Sequence, residues 1–374
     1  MPPEIISLHE LKDDAEAVEL SVKTLRQGKL VVFPTETVYG LAALASDANA
    51  VKRLCVEKGR SAMHALPIAI SGSEVLKRYA PDLPPLALRL TRRFWPGPLT
   101  LVLDVADSSS ELNKLPKESL MAIMPEGAVG FRTPKNNFLL RALQILDEPI
   151  VLTSANLSGK APATSALEAQ DALGKSPELI IDGGKADFGQ PSTVVKLSGK
   201  EATILREGAI SNLKLSQAMA KVIVFVCTGN TCRSPMAEVV CQKILAEHLG
   251  VPTNELEANG YIVLSAGVAA QSFCPASSQA CHVVAHEYGL SLDNHASHSF
   301  DSTLAQVADL VFTMTASHKS VLLSYYPELQ DRVFLLSVSN DDIADPFGAP
   351  VAEYSACARQ IEEQIRLRLA ELID

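Results

Sequence analysis

Val222-Ile223-Val224-Phe225-Val226-Cys227-Thr228-Gly229-Asn230-Thr231-Cys232-Arg233-Ser234-Pro235 decides the fold of the second half of this 374-residue chain. Five consecutive apolar residues read as a buried strand, and the polar loop after them runs into a helix starting at Pro235. A loop at such a junction aims backbone N–H groups and the positive end of the helix dipole at one point, which suits a tetrahedral dianion. Arg233 adds a planar fork for two phosphate oxygens. The same field favours the thiolate of Cys227, a nucleophile at neutral pH. Gly229 permits close backbone approach, and Ser234 is placed to hydrogen-bond the thiolate. Thr228, Asn230, Thr231 and Cys232 complete a candidate phosphate-binding loop.

Outward from the loop, apolar stretches at Tyr261–Ser265, Leu310–Thr313 and Val333–Leu336 alternate with helical segments. This predicts a doubly wound, four-stranded parallel sheet. Tyr354, Ala358, Ile361, Ile365, Leu369 and Leu372 recur at spacings of three or four, one apolar stripe on a single closing helix. Asp345-Pro346-Phe347-Gly348 is either a plain turn or, beside this loop, the carrier of a general acid that protonates a leaving group. Cys232 is either a resolving thiol for an oxidised Cys227 or a small space-filling residue. Cys241, Cys274, Cys281 and Cys357 read as packing residues. No histidine of this half has metal-ligand spacing backed by Cys or carboxylate, and no metal is expected.

Upstream, Asp14 is placed to cap a helix with Val18, Val22 and Leu25 on one face, Gly28 to end it, and Leu30–Phe33 to form a strand. Further strands at Leu66–Ile70, Leu99–Leu103, Ile150–Leu152 and Val194–Leu197 predict a separate α/β domain. The pattern restarts near Ile210, so we divide the chain into domains 1–215 and 216–374. Charge divides with it. The first part carries 25 basic and 25 acidic residues and the second 8 and 18, so the whole net charge of −10 lies in the second. A broad nucleic-acid footprint is therefore not expected there. Six of the seven cysteines also lie in the second part, with no Cys-x-x-Cys pair, which argues against a disulfide framework or zinc ribbon. No run of 18 apolar residues occurs, so no membrane partner and a cytoplasmic location are expected.

Residues 220–374 resemble the low-molecular-weight protein tyrosine phosphatase family. The likeness lies in the Cys227–Ser234 loop, Ser265-Ala266-Gly267, Ala308-Asp309-Leu310-Val311 with Met314 and His318, and Asp345-Pro346. It implies a phosphocysteine on Cys227, transition-state stabilisation by Arg233, a general acid at Asp345, a phosphorylated protein as substrate and no metal. Thr231 and Phe347 are similar to the residues of bacterial protein-arginine phosphatases. Phosphoarginine and phosphotyrosine both stay open.

The first half offers weaker local signals: Pro34-Thr35-Glu36-Thr37-Val38-Tyr39-Gly40-Leu41, Lys58-Gly59-Arg60, and Thr153-Ser154-Ala155-Asn156-Leu157-Ser158-Gly159 after a strand. Each is a plain turn or a binding loop when taken alone; ligands of open α/β sheets gather at such strand ends. Phe94-Trp95-Pro96-Gly97-Pro98 reads as a packed turn. With Gly130-Phe131-Arg132, Ser192-Thr193-Val194-Val195 and Leu205-Arg206-Glu207-Gly208 in this order, residues 5–212 resemble the YrdC-like threonylcarbamoyl-AMP synthase family. That resemblance implies a twisted α/β fold with a large cavity. It also implies condensation of L-threonine, bicarbonate and ATP, with Mg²⁺, and a TsaD-type tRNA threonylcarbamoyl transferase as partner. Thr35, Arg132, Ser154 and Ser192 are then expected on threonine, and Lys58, Arg60, Asn156 and Arg206 on the nucleotide. Double-stranded RNA binding is a further expectation. Ser61, Ala69 and Lys196 stand where many members carry Pro, His and an acidic residue. The competing reading leaves the phosphatase as sole catalyst and the first domain as a nucleotide- or RNA-binding module.

Overall fold

A computed structural model describes residues 2–59, 65–105, 109–199 and 201–373. The chain divides into two compact units, Met1–Leu215 and Ser216–Asp374. The first is built on ten strands: β1 (Glu4–Ser7), β2 (Val31–Phe33), β3 (Gly40–Leu44), β4 (Ile68–Ala69), β5 (Leu99–Asp104), β6 (Ala128–Arg132), β7 (Ile150–Ser154), β8 (Leu179–Asp182), β9 (Thr193–Ser198) and β10 (Glu201–Arg206). They form one mixed sheet in the order β1-β8-β2-β3-β7-β4-β6-β5-β9-β10. One layer over it comes from the helices Ala15–Arg26 and Asn137–Leu146. Their apolar faces, Val18, Val22 and Leu25 on one and Leu139, Ala142 and Leu143 on the other, share a core with Val31, Phe33, Ala42 and Ile150 of the sheet.

Five of these strands were not expected from sequence, each for a local reason. β3 reads Gly-Leu-Ala-Ala-Leu, weak in strand propensity, and is a strand because β2 and β7 pair antiparallel on either side of it. β6 carries Gly130 against Pro67 and the Thr100 methyl, each 3.4 Å from where a Cβ would stand, so the position leaves little room for a side chain. β1 and β10 are edge strands and β8 only four residues long. Asp14 stands at the helix N-cap but makes no capping hydrogen bond, because its carboxylate pairs with Arg141 instead.

The second unit holds β11 (Lys221–Cys227), β12 (Tyr261–Gly267), β13 (Leu310–Thr313) and β14 (Val333–Leu335), all parallel, in the order β12-β11-β13-β14. The order reverses at β11, whose C-terminal end is therefore the switch point of the sheet and carries Cys227. Two expectations are corrected. The helix after the loop spans Arg233–Leu249, so Arg233 and Ser234 form its first turn, two residues before Pro235. The closing stripe is not one helix. It breaks between Val351–Leu367 and Leu369–Ile373 at Arg368, whose buried guanidinium donates to the carbonyls of Leu335 and Leu336 and lies 5.1 Å from the Phe312 ring. Among the described residues no helix is long and apolar enough to cross a membrane.

Candidate functional sites

In the second unit, Cys227 ends β11 with its sulfur 3.0 Å from Ser234 Oγ, and the Asn230 N–H donates to the same sulfur at 3.3 Å. The loop can turn this tightly because Asn230 adopts a left-handed backbone (φ 54°), which asparagine tolerates better than most residues. Its side chain holds the loop in shape. Nδ2 donates to Ser234 Oγ and to Ser265 Oγ, Oδ1 accepts from the His298 N–H, and its carbonyl lies 2.7 Å from His295 Nε2. Ser265 Oγ in turn donates to Glu238 at 2.6 Å, whose carboxyl is raised above the usual range by burial.

Arg233 is buried and spans two elements: Nη1 donates to the Ile343 carbonyl and Nη2 meets Asp345 Oδ2 at 2.6 Å. The Asp345 side chain remains half exposed, at 48%. Thus the loop arginine and the carboxyl on the distant turn are brought into one site, with Phe347 exposed beside them in sequence. Cys232 is buried with its sulfur 3.3 Å from Tyr354 Oη and 3.4 Å from Ser277 Oγ. Burial pushes the Tyr354 hydroxyl up to about 12, and the Cys357 thiol likewise. The Cys241 thiol is also raised by burial, so both cysteines pack rather than react. Thr228, Gly229 and Thr231 lie on the exposed or half-buried rim of the loop.

The first unit holds a cavity of about 720 Å³ along one side of the sheet. Thr35, Lys58, Arg132, Ser154, Asn156, Ser192 and Arg206 all line it; Arg60 lies outside the described residues. They are not two separate sets. Lys58 Nζ donates to the carbonyls of Ser154 (2.6 Å) and Asn156 and approaches Asn156 Oδ1, clamping the loop after β7. Arg206 Nη2 donates to the Ser192 carbonyl at 2.8 Å, and Ser192 Oγ lies 2.8 Å from Thr100 Oγ1. Arg132 pairs at 2.9 Å with a buried Glu36 and donates to Thr37 Oγ1 at 2.7 Å. Thr35 Oγ1 donates to the Val38 carbonyl, so the elbow 34–41 is self-braced. Glu36, Thr37 and Thr100 were not singled out from sequence. The first two lay inside a quoted segment, but only the fold shows that they face Arg132. Ala69 lines the cavity, and Lys196 does too. Trp95 is a packed residue, as expected, its Nε1 donating to the Leu99 carbonyl.

These features define two α/β units, one with a basic cavity and one with a Cys-x5-Arg-Ser loop facing a carboxyl. A family model described as telomere recombination, the Sua5/YciO/YrdC family, matches residues 23–208, and one described as low molecular weight phosphotyrosine protein phosphatase matches residues 222–373. The chain belongs to both families, one through each unit. It is 39% identical over 209 residues to the threonylcarbamoyl-AMP synthase of Pyrococcus abyssi, which covers 55% of this chain and 58% of that one. The chain thus spans little more than half the length of that relative. A structure of P. abyssi Sua5 matches with a TM-score of 0.52 and 30% identity, over 71% of this chain and 91% of that one. A low-molecular-weight protein tyrosine phosphatase from T. tengcongensis is 36% identical, covering 41% of this chain and all of that one, with a TM-score of 0.37.

Proposed function

We propose that the chain is a bifunctional enzyme of the cytoplasm: a threonylcarbamoyl-AMP synthase joined to a cysteine-dependent protein phosphatase. For the synthase the supporting observation is the charge of the cavity. Lys58, Arg132, Lys160, Lys196 and Arg206 line it, against Glu126 in the lining, Glu36 paired with Arg132 and Asp104 beside Lys196, so cations outnumber carboxylates five to three among the described residues. Such a lining suits a triphosphate and the carboxylate of an amino acid. ATP is the substrate, and Mg²⁺ bound with it would offset part of its phosphate charge. Arg206 on Ser192 and Lys58 on Ser154 put the nucleotide-side cations next to the threonine-side hydroxyls, where a carbamate oxygen must meet the α-phosphorus and displace pyrophosphate. The threonine amine takes its carbamate carbon from bicarbonate with loss of water, and a TsaD-type transferase consumes the product. ATP-, bicarbonate- and threonine-dependent pyrophosphate release tests this. No release, with ATP or RNA still bound, would leave the binding-module reading.

For the phosphatase the supporting observation is that Arg233 is held between the nucleophile loop and Asp345. The Cys227 thiolate attacks phosphorus; the P–O or P–N bond breaks, and its electron pair takes the Asp345 proton. Water, losing a proton to the Asp345 carboxylate, then attacks the phosphocysteine and releases phosphate and thiolate. Loop N–H groups and Arg233 carry the transition-state charge. The Thr231 hydroxyl on the rim favours a polar guanidinium over an aromatic ring, so we take phosphoarginine as the preferred substrate. Thr231→Ile is expected to shift preference toward phosphotyrosine. An unchanged ratio of the two activities would refute that preference.

A further inference from the structure

His318 is 6% exposed, and its Nε2 lies 2.9 Å from the hydroxyl of Thr228, the residue directly after the nucleophile. Its backbone is pinned at the start of the helix Ala316–Tyr325, where Thr315 Oγ1 accepts its N–H. The other ring nitrogen, Nδ1, is buried and has no partner among the described residues. Arg233, Asp345 and Asp342 are the charged groups acting on the ring, and burial together with Arg233 holds it down at about 4, neutral at physiological pH.

A neutral imidazole has one N–H and one bare nitrogen. If Nε2 were bare, the Thr228 proton would be spent on it and Nδ1–H would be a buried donor without an acceptor. If Nε2 carries the proton, Nδ1 is a buried acceptor without a donor. Orphaned donors are the rarer case in native interiors. With Nε2–H donating, the Thr228 hydroxyl accepts from the protein and keeps its own proton. Thr228 is exposed on the loop rim, and its hydroxyl has no second partner among the described residues. We infer that His318 is a positioning residue which holds the Thr228 hydroxyl as an additional hydrogen-bond donor to a phosphoryl oxygen of the substrate. The inference rests on the phosphatase reading of this site.

The test uses the full chain, p-nitrophenyl phosphate as substrate and inorganic phosphate as competitive inhibitor. Thr228→Val, which removes the hydroxyl at constant shape, is expected to weaken phosphate inhibition and lower kcat/KM by about 10-fold, the scale of one hydrogen bond to a charged group. His318→Leu should cost the same in the wild type and nothing further in the Thr228→Val background. His318→Gln, whose amide N–H falls near Nε2, should restore most of the loss. Unchanged phosphate inhibition in Thr228→Val would overturn the inference, as would an equal penalty from His318→Leu in both backgrounds. If His318→Leu fails to fold, the Thr228→Val and His318→Gln measurements still decide. Activity surviving Cys227→Ser would instead overturn the phosphatase reading itself.

Discussion

The proposed nucleophile, Cys227, and the proposed general acid, Asp345, are 118 positions apart in the sequence numbering, and Arg233, six residues after Cys227 in the same loop, pairs with Asp345. Removing either acts on a different step. Cys227→Ser should abolish turnover, because a hydroxyl lacks the nucleophilicity of a thiolate. Asp345→Asn should slow leaving-group departure by about 10²–10⁴-fold while phosphate still binds. Steady-state assays with a good and a poor leaving group separate the two, since Asp345→Asn should cost less with the good one. His318 has a pH signature in stability. Its folded value of about 4 lies below the ordinary 6.5, so an unfolded chain binds the proton that the folded one refuses. Stability is therefore complete above pH 6.5 and lost as pH falls toward 4, by on the order of 2–3 kcal/mol. Glu238, raised by burial, acts with the opposite sign above its ordinary value. The difference between wild type and His318→Gln in chemical unfolding at pH 7 and pH 4.5 isolates the histidine; equal losses in both would contradict this assignment.

At the scale of elements, the loop is shaped by its neighbour strand as much as by its own residues. β12 ends at Gly267, where a Cβ would stand 2.5 Å from the Thr228 carbonyl and 3.1 Å from the Asn230 N–H. Gly267→Ala should therefore displace the loop and cost at least about 10-fold in kcat/KM while the sheet persists, a small misplacement being enough to lose catalysis. Circular dichroism and turnover measured together check it. Lys58 has the same standing in the first unit. Lys58→Ala removes a proposed nucleotide-side cation and its hydrogen bonds to the carbonyls of Ser154, which keeps the Asn156 N–H, and of Asn156, so it should weaken ATP use and lower stability by about 1–3 kcal/mol. A variant with normal stability and normal ATP use would refute the clamp.

For the whole molecule, the helix Asn212–Met219 carries the chain from one unit to the other, and β11 begins at Lys221. A cut within that helix sacrifices the burial of Leu215, whereas a cut after Met219 leaves both sheets complete. We expect fragments 1–219 and 220–374 each to unfold cooperatively and to keep their own activity, because each holds its own buried core. Denaturant unfolding and the two assays on the separate fragments test this. Failure of either fragment to fold would show that its core is incomplete alone.

Much of this was legible in the chain itself. The apolar run Val222–Val226 with Cys227–Ser234, and the three short strands that follow it, are local patterns whose period and turn residues suffice to place them. Arg368 shows where that sufficiency ends: it falls within a segment that reads as one helix, and only the carbonyls of Leu335 and Leu336, 32 or more positions away, which accept from its guanidinium, account for the break and for the side chain turning inward. The same limit separates the motifs of the first unit from its cavity. Thr35, Lys58, Arg132, Ser154 and Ser192 were visible as residues, but Glu36 against Arg132, Thr100 against Ser192 and Ala69 in the wall arise from strand pairings between segments distant in sequence. Local sequence determines which backbone conformations are cheap. Which side chains meet is decided by long-range burial, because a buried polar group must find its partner wherever the chain has brought one.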